Sequence, residues 1–116
     1  MDEKLIKNLY ASIVEDNNQT YRKLFNELEI EDDFIDYWKN ALKLYKSFDE
    51  NEREVFFSII KTVIVDTVST VFGILDGAIG MVEGTCDFTV TANGTHVEGE
   101  LQDSFLAYVE EMEAEK

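Results

Sequence analysis

Apolar side chains recur at three- to four-residue intervals over most of this chain, switch to every second residue for one short stretch, then return to the helical interval. That change of period predicts helices interrupted by a single β-hairpin. A first helix, about Asp2 to Glu15, carries Leu5, Ile6, Leu9, Tyr10, Ile13 and Val14 at helical spacing. Asp2 and Glu3 stand where the positive end of the helix dipole favours acids. Asp16-Asn17-Asn18 interrupts this stripe and can cap a second helix, about Gln19 to Leu28, with Tyr21, Leu24, Phe25 and Leu28 on one side. An acidic connection, Glu29 to Asp33, contains one apolar residue, Ile30. A third helix follows, about Asp33 to Ser47, on the stripe Phe34, Ile35, Trp38, Ala41, Leu42 and Tyr45.

The clearest helix start is Phe48-Asp49-Glu50-Asn51-Glu52. Asp49 can cap, Glu52 completes a capping box, and Phe48 can serve as the hydrophobic staple. From Glu50 to about Leu75 the helix is apolar over most of its circumference, which predicts a position at the centre of a bundle. Its many β-branched residues would also suit a strand, but length and cap decide for helix. A narrow polar or small stripe runs along it through Thr62, Asp66, Ser69, Thr70, Gly73 and Gly77, and Asp76-Gly77 is the expected stop.

Cys86, Phe88 and Val90 then alternate with Asp87, Thr89 and Thr91, and Asn93-Gly94 separates them from a short partner at about His96 to Glu98. Asn-Gly between alternating segments is a strong hairpin signal. A last helix, Glu100 to about Ala114, presents Leu101, Phe105, Leu106, Tyr108, Val109 and Met112. Its acidic end, Glu110 to Glu115, opposes the dipole and predicts fraying. The fold class expected is therefore mainly α: a single domain over residues 1–116, a bundle of about five helices with one hairpin at about 85–99 between the fourth and fifth.

Charge sharpens this picture. The chain has 25 Asp and Glu against 10 Lys and Arg, a formal net charge of −15. From Thr62 to Glu115, 54 residues contain no Lys or Arg and eleven acids. Ordinary surfaces mix both signs. A one-sided surface repels phosphate, nucleic acid and anionic lipid and attracts basic partners at long range. The 14 aromatic residues and 45% hydrophobic content argue against disorder. One cysteine and no signal-peptide pattern lead to the expectation of a reducing cytoplasm. The run Val55 to Val82 is the only membrane candidate, and Lys61, Asp66, Asp76 and three glycines make spanning costly.

Candidate chemistry is sparse. Asp66, mid-helix among apolar neighbours, reads either as a buried acid with a raised pKa or as a member of the polar stripe, and the stripe is favoured. His96 could pair with Asp87 or Glu98 across the hairpin, although a histidine beside a turn more often faces solvent. No second His or Cys supports a transition metal, and Glu31, Asp32, Asp33 and Asp36 lack the spacing of a calcium loop. Ser58, Ser69 and Ser104 have no glycine elbow, Cys86 alternates into the apolar face of its strand, and no phosphate loop is present. Trp38, with Tyr37 and Tyr45, reads as core ahead of a binding patch. No cofactor, metal or catalytic residue is expected.

The remaining expectation is a binding protein that presents acids on a helical scaffold to a basic protein partner. In size, acidity and lack of catalytic residues the whole chain resembles the immunity proteins of bacterial toxin systems. That resemblance implies a cytoplasmic inhibitor of a basic toxin and transfers no residues. From the residues themselves, Asp87, Glu98, Glu100, Asp103, Glu110 and Glu111, on the hairpin and last helix, are the expected partner contacts. A structural or regulatory homodimer is the second expectation, and a small enzyme using Asp66 or His96 the third.

Overall fold

The first helix is continuous. In a computed structural model, which describes residues 2–84 and 86–114, α1 runs as Glu3–Leu9, a π-helical stretch Tyr10–Glu15, and Asp16–Glu27 without a break. The Asp2 carboxylate caps it, accepting from the Lys4 amide at 2.9 Å. Asp16-Asn17-Asn18 does not separate one helix from the next, because the asparagines find partners within the helix and across the fold. Asn17 Nδ2 donates to the Ile13 carbonyl at 2.7 Å, and Asn18 Nδ2 donates to the Phe57 carbonyl at 3.2 Å. The described residues therefore form four helices, not five: α1, α2 (Asp36–Lys46), α3 (Glu50–Leu75) and α4 (Leu101–Ala114). Helix α4 holds its shape to Ala114 despite its acidic end, and Glu115 lies outside the described residues.

The start of α3 follows its sequence signature. Asp49 Oδ1 accepts from the Glu52 amide at 2.8 Å, and Glu52 Oε1 accepts from the Asp49 amide at 2.9 Å. Phe48 packs on Phe56, 5.7 Å between ring centres, one turn beyond the usual staple position. The helix ends in a Schellman motif: Ala78 N–H donates to the Gly73 carbonyl at 2.9 Å and Gly77 N–H to the Ile74 carbonyl at 3.1 Å. Gly77, at φ 78°, supplies the left-handed residue that this motif requires.

Two apolar cores line α3. Phe25, Leu42, Tyr45 and Phe57 are buried between its first half, α2 and the end of α1. Tyr10, Val14, Val65, Phe72, Val97, Leu101, Phe105 and Val109 are buried between its second half, the π-helical stretch of α1, and α4. Trp38 is half-buried beside the first core, 6.2 Å from Phe25, while Tyr37 is exposed. Helix α3 is thus the spine, but it is not enclosed. Only 22% of its most apolar 18-residue window is buried, and Val55, Ile59, Val63 and Val71 are about half exposed. By length and composition alone α3 could also cross a membrane. Four helices around two separate cores leave one side of it open, and the radius of gyration, 17.6 Å, exceeds the roughly 13 Å of a compact domain of this length.

The hairpin lies between α3 and α4 and is shorter than its alternation predicts. Strand β1 (Thr91–Ala92) pairs antiparallel with β2 (Thr95–His96) around Asn93-Gly94, both residues at positive φ. Val97 N–H still reaches the Val90 carbonyl at 2.9 Å, and there the ladder ends. The Val90 amide donates to Glu98 Oε2 at 3.2 Å, and the Val97 carbonyl accepts from Glu100 N–H at 3.4 Å in the turn that enters α4. Continued pairing would set Phe88 opposite Gly99 and Cys86 opposite Leu101, residues already held in that turn and helix. The first part of the expected strand, Cys86 to Thr89, is therefore unpaired among the described residues, and Cys86 is exposed instead of facing the core. Thr85, the expected start of the hairpin, lies outside the described residues.

Candidate functional site

Helix α4 carries most of the expected contact residues, and a carboxylate from the end of α3 positions it. Asp76 Oδ1 accepts from the Gly99 amide at 2.7 Å and the Leu101 amide at 3.2 Å, and Oδ2 accepts from the Gln102 amide at 2.8 Å. These are the unpaired donors at the start of α4, so Asp76 caps that helix from a distance of more than twenty residues. Gln102 Nε2 in turn donates to the Ser69 carbonyl and hydroxyl at 3.1 and 3.2 Å. Gly73 makes the approach feasible: a Cβ there would collide with Ile79 and come within 2.8 Å of Gln102 Nε2. Ser69 and Gly73 of the small-residue stripe thus admit α4 closely, while Thr62, Asp66 and Thr70 face solvent.

Once Leu101, Phe105 and Val109 are buried, helical geometry turns Asp103, Ala107, Glu110 and Glu111 outward. This face contains acids and no cation. Glu100 and Glu111 also line a groove of about 360 Å³ with Glu3 and Lys7 of α1, and Ile6, Ala107 and Tyr108 contribute apolar lining. The structure therefore brings together Glu100, Asp103, Glu110 and Glu111 along one side of α4. Asp87 is exposed but does not line that groove, and Glu98 is half-buried and engaged within the hairpin. Glu98 Oε1 lies 2.9 Å from His96 Nδ1, while Oε2 receives the Val90 amide. Its own backbone N–H, opposed by partial desolvation and aided by Val90 and His96, holds the Glu98 carboxyl below 4.5.

Three cations of the first half are occupied close to home. Arg22 forms a two-pronged pair with Glu54 at 3.2 and 3.1 Å and lies 4.6 Å from the centre of the Phe57 ring. The hydrogen bond and charge of Arg22 hold the Glu54 carboxyl below its usual range. Arg53 sits 4.4 Å from the Tyr45 ring centre, and Lys46 lies 3.7 Å from Glu29. Of the Lys and Arg residues, Lys7 is the one that lines the groove beside α4.

Asp66 is exposed, not buried as a proton-transfer site would require, and its backbone carbonyl receives the Thr70 hydroxyl at 2.9 Å. His96 pairs with Glu98 and lines a shallow groove with Asp2, Leu5 and Asn93, but its side chain is two-thirds exposed. Among the described residues, no three His, Cys, Asp or Glu side chains converge as a metal site needs. Sequence reasoning missed Asp76, which reads only as a helix stop because its partners are remote, and Glu3, which reads only as a dipole residue. Comparison of the chain with known protein families, with characterised proteins and with solved structures finds no match.

Proposed function

We propose that this chain is an acidic protein-binding module that holds and neutralises a basic protein partner by occupancy, without catalysis. The observation that carries this reading is the outer side of α4, which presents Asp103, Glu110 and Glu111 and has no Lys or Arg of its own, on a helix clamped at its start by Asp76. Acids on an ordered helix keep a fixed geometry, so long-range attraction speeds encounter and short-range contacts select the partner. The immunity proteins that the chain resembles act in this manner, and a basic toxin is the partner this reading assigns. An exposed free thiol at Cys86 fits a reducing compartment, and the reading puts the protein in the cytoplasm.

The test is capture with the tagged chain from its native cells at low and high salt, alongside the Asp103→Lys/Glu110→Lys/Glu111→Lys variant. A basic protein held by the unaltered chain at low salt, with an association rate that falls in the variant, supports the reading. Equal rates and equal salt dependence for both chains overturn it. A second reading, a homodimer, is favoured by the open apolar stripe Val55, Ile59, Val63 and Val71 on α3. Sedimentation at micromolar concentration tests it, and a monomer throughout removes it.

A further inference from the structure

The stretch from Cys86 to Val90 has the alternation of a strand, but among the described residues only Val90 meets a backbone partner. Among the described residues, no backbone–backbone hydrogen bond involves Cys86, Asp87, Phe88 or Thr89. The usual in-chain solution is blocked. Residues that would continue β2 turn away at Val97 to Glu100, and Asp76 fixes Gly99, Leu101 and Gln102 at the start of α4. Within the hairpin, Val90 and Ala92 direct their backbone groups towards β2, as the Val97-to-Val90 bond shows. Antiparallel alternation then directs the N–H and C=O of Thr89 and Thr91, and by continuation those of Asp87, to the opposite edge. Among the described residues that edge has no neighbouring strand, because the sheet contains β1 and β2 alone.

We propose that the outer edge of β1 together with the segment leading into it, Asp87 to Thr91, accepts an extended Lys- or Arg-rich segment of the basic partner as an added antiparallel strand; this rests on the function proposed above. Strand addition gains affinity from main-chain bonds and selectivity from alternate side chains. Charge selects the occupant. Asp87 lies on the edge itself, Glu98 accepts the Val90 amide beside it, and no Lys or Arg occurs from Thr62 to Glu115. A second copy of this chain would bring its own −15 charge to the same edge and is disfavoured. A segment with alternating cations sets those cations against Asp87 while its backbone satisfies Thr89 and Thr91.

The full chain with a synthetic peptide of alternating Lys and Val supplies the test, read by amide hydrogen exchange. The expected result is slowed exchange at Asp87, Thr89 and Thr91 on adding peptide, with α2 unchanged. Methylating alternate peptide nitrogens should weaken binding about five- to tenfold, the effect of one or two lost backbone bonds. Thr89→Pro removes an outward N–H that the hairpin does not use, so it should abolish the slowing while leaving the amides of Ala92 and Val97 protected. Unchanged exchange at Asp87, Thr89 and Thr91 with millimolar peptide overturns the proposal, as does indifference to peptide methylation. Slowing that grows with protein concentration and no peptide replaces the partner by a second copy and also overturns it. Loss of partner capture in the α4 charge variant but not in Thr89→Pro rejects this edge while leaving the proposed function standing.

Discussion

The two cores along α3 differ in side chains and in charge. The first is ringed with aromatics: Phe25, Tyr45 and Phe57 contact Phe48, Phe56 and Trp38 at centre-to-centre distances from 5.1 to 6.3 Å. Arg22 and Arg53 lie over its rings, and neighbouring acids receive cations. The second core is built from four Val, one Leu and three rings, Tyr10, Phe72 and Phe105, with acids outside and an internal carboxylate clamp at its edge. The first region pairs part of its charge locally, through Arg22 with Glu54 and Lys46 with Glu29, and mixes both signs. The second leaves its negative charge unbalanced, which costs self-repulsion but projects a field into solvent. Within one small fold, cohesion and attraction are thus divided between opposite stretches of a single helix.

Truncating the centre of each core tests that division most severely. Phe57→Ala and Phe105→Ala should each cost about 3–5 kcal/mol in urea unfolding, the usual loss for a buried ring. Hydrogen exchange should quicken first around α2 in the Phe57 variant and first around α4 in the Phe105 variant. Identical exchange patterns would merge the two regions into one cooperative unit.

A smaller loss isolates the second region alone. Asp76→Ala removes the acceptor for three amides and should cost about 2 kcal/mol, with faster exchange at Gly99, Leu101 and Gln102. Asp76→Asn keeps one acceptor oxygen and should lose less. A variant as stable as the parent would mean that α4 is held by its apolar face without the clamp.

The smallest effect concerns the hairpin at acid pH. The Glu98 carboxyl is held below its ordinary range in the fold, so its ionised form stabilises the folded state at neutral pH and the contribution disappears as pH falls through the lowered pKa. A carbon-detected titration of Glu98 should show its midpoint below 4.5, with the Val90 amide shifting in step. A midpoint at or above 4.5, or an indifferent Val90 amide, would separate Glu98 from the hairpin's end.

Features written within a few residues were legible in the sequence. The capping box of Asp49 and Glu52, the Asn93-Gly94 turn and the stop at Gly77 all depend on neighbours and form as expected. Features set by distant partners were not. Asp16-Asn17-Asn18 looks like a break until Asn18 finds the Phe57 carbonyl, 39 residues away. The strand from Cys86 loses its partner because Asp76 recruits the residues that would have paired with it. The exposure of α3 was also hidden: an all-round apolar stripe predicts enclosure, but too few helices surround it. For the candidate contacts, periodicity alone placed Asp103, Glu110 and Glu111 on one face, whereas the groove shared with Glu3 and Lys7 needed the packing of two chain ends.

The π-helical stretch Tyr10–Glu15 changes how α1 counts residues. Its wider turn lets the inward positions step by four, through Ile6, Tyr10, Val14, Asn18 and Arg22, before ordinary α spacing resumes at Phe25. Deleting one residue from this stretch would restore regular winding and rotate everything after it by about 100°. Asn18 and Phe25 would then swing off α3 while Ile6 stayed in place. One surplus residue acts as a phase adjuster, allowing a single rod to dock against two cores whose orientations do not match.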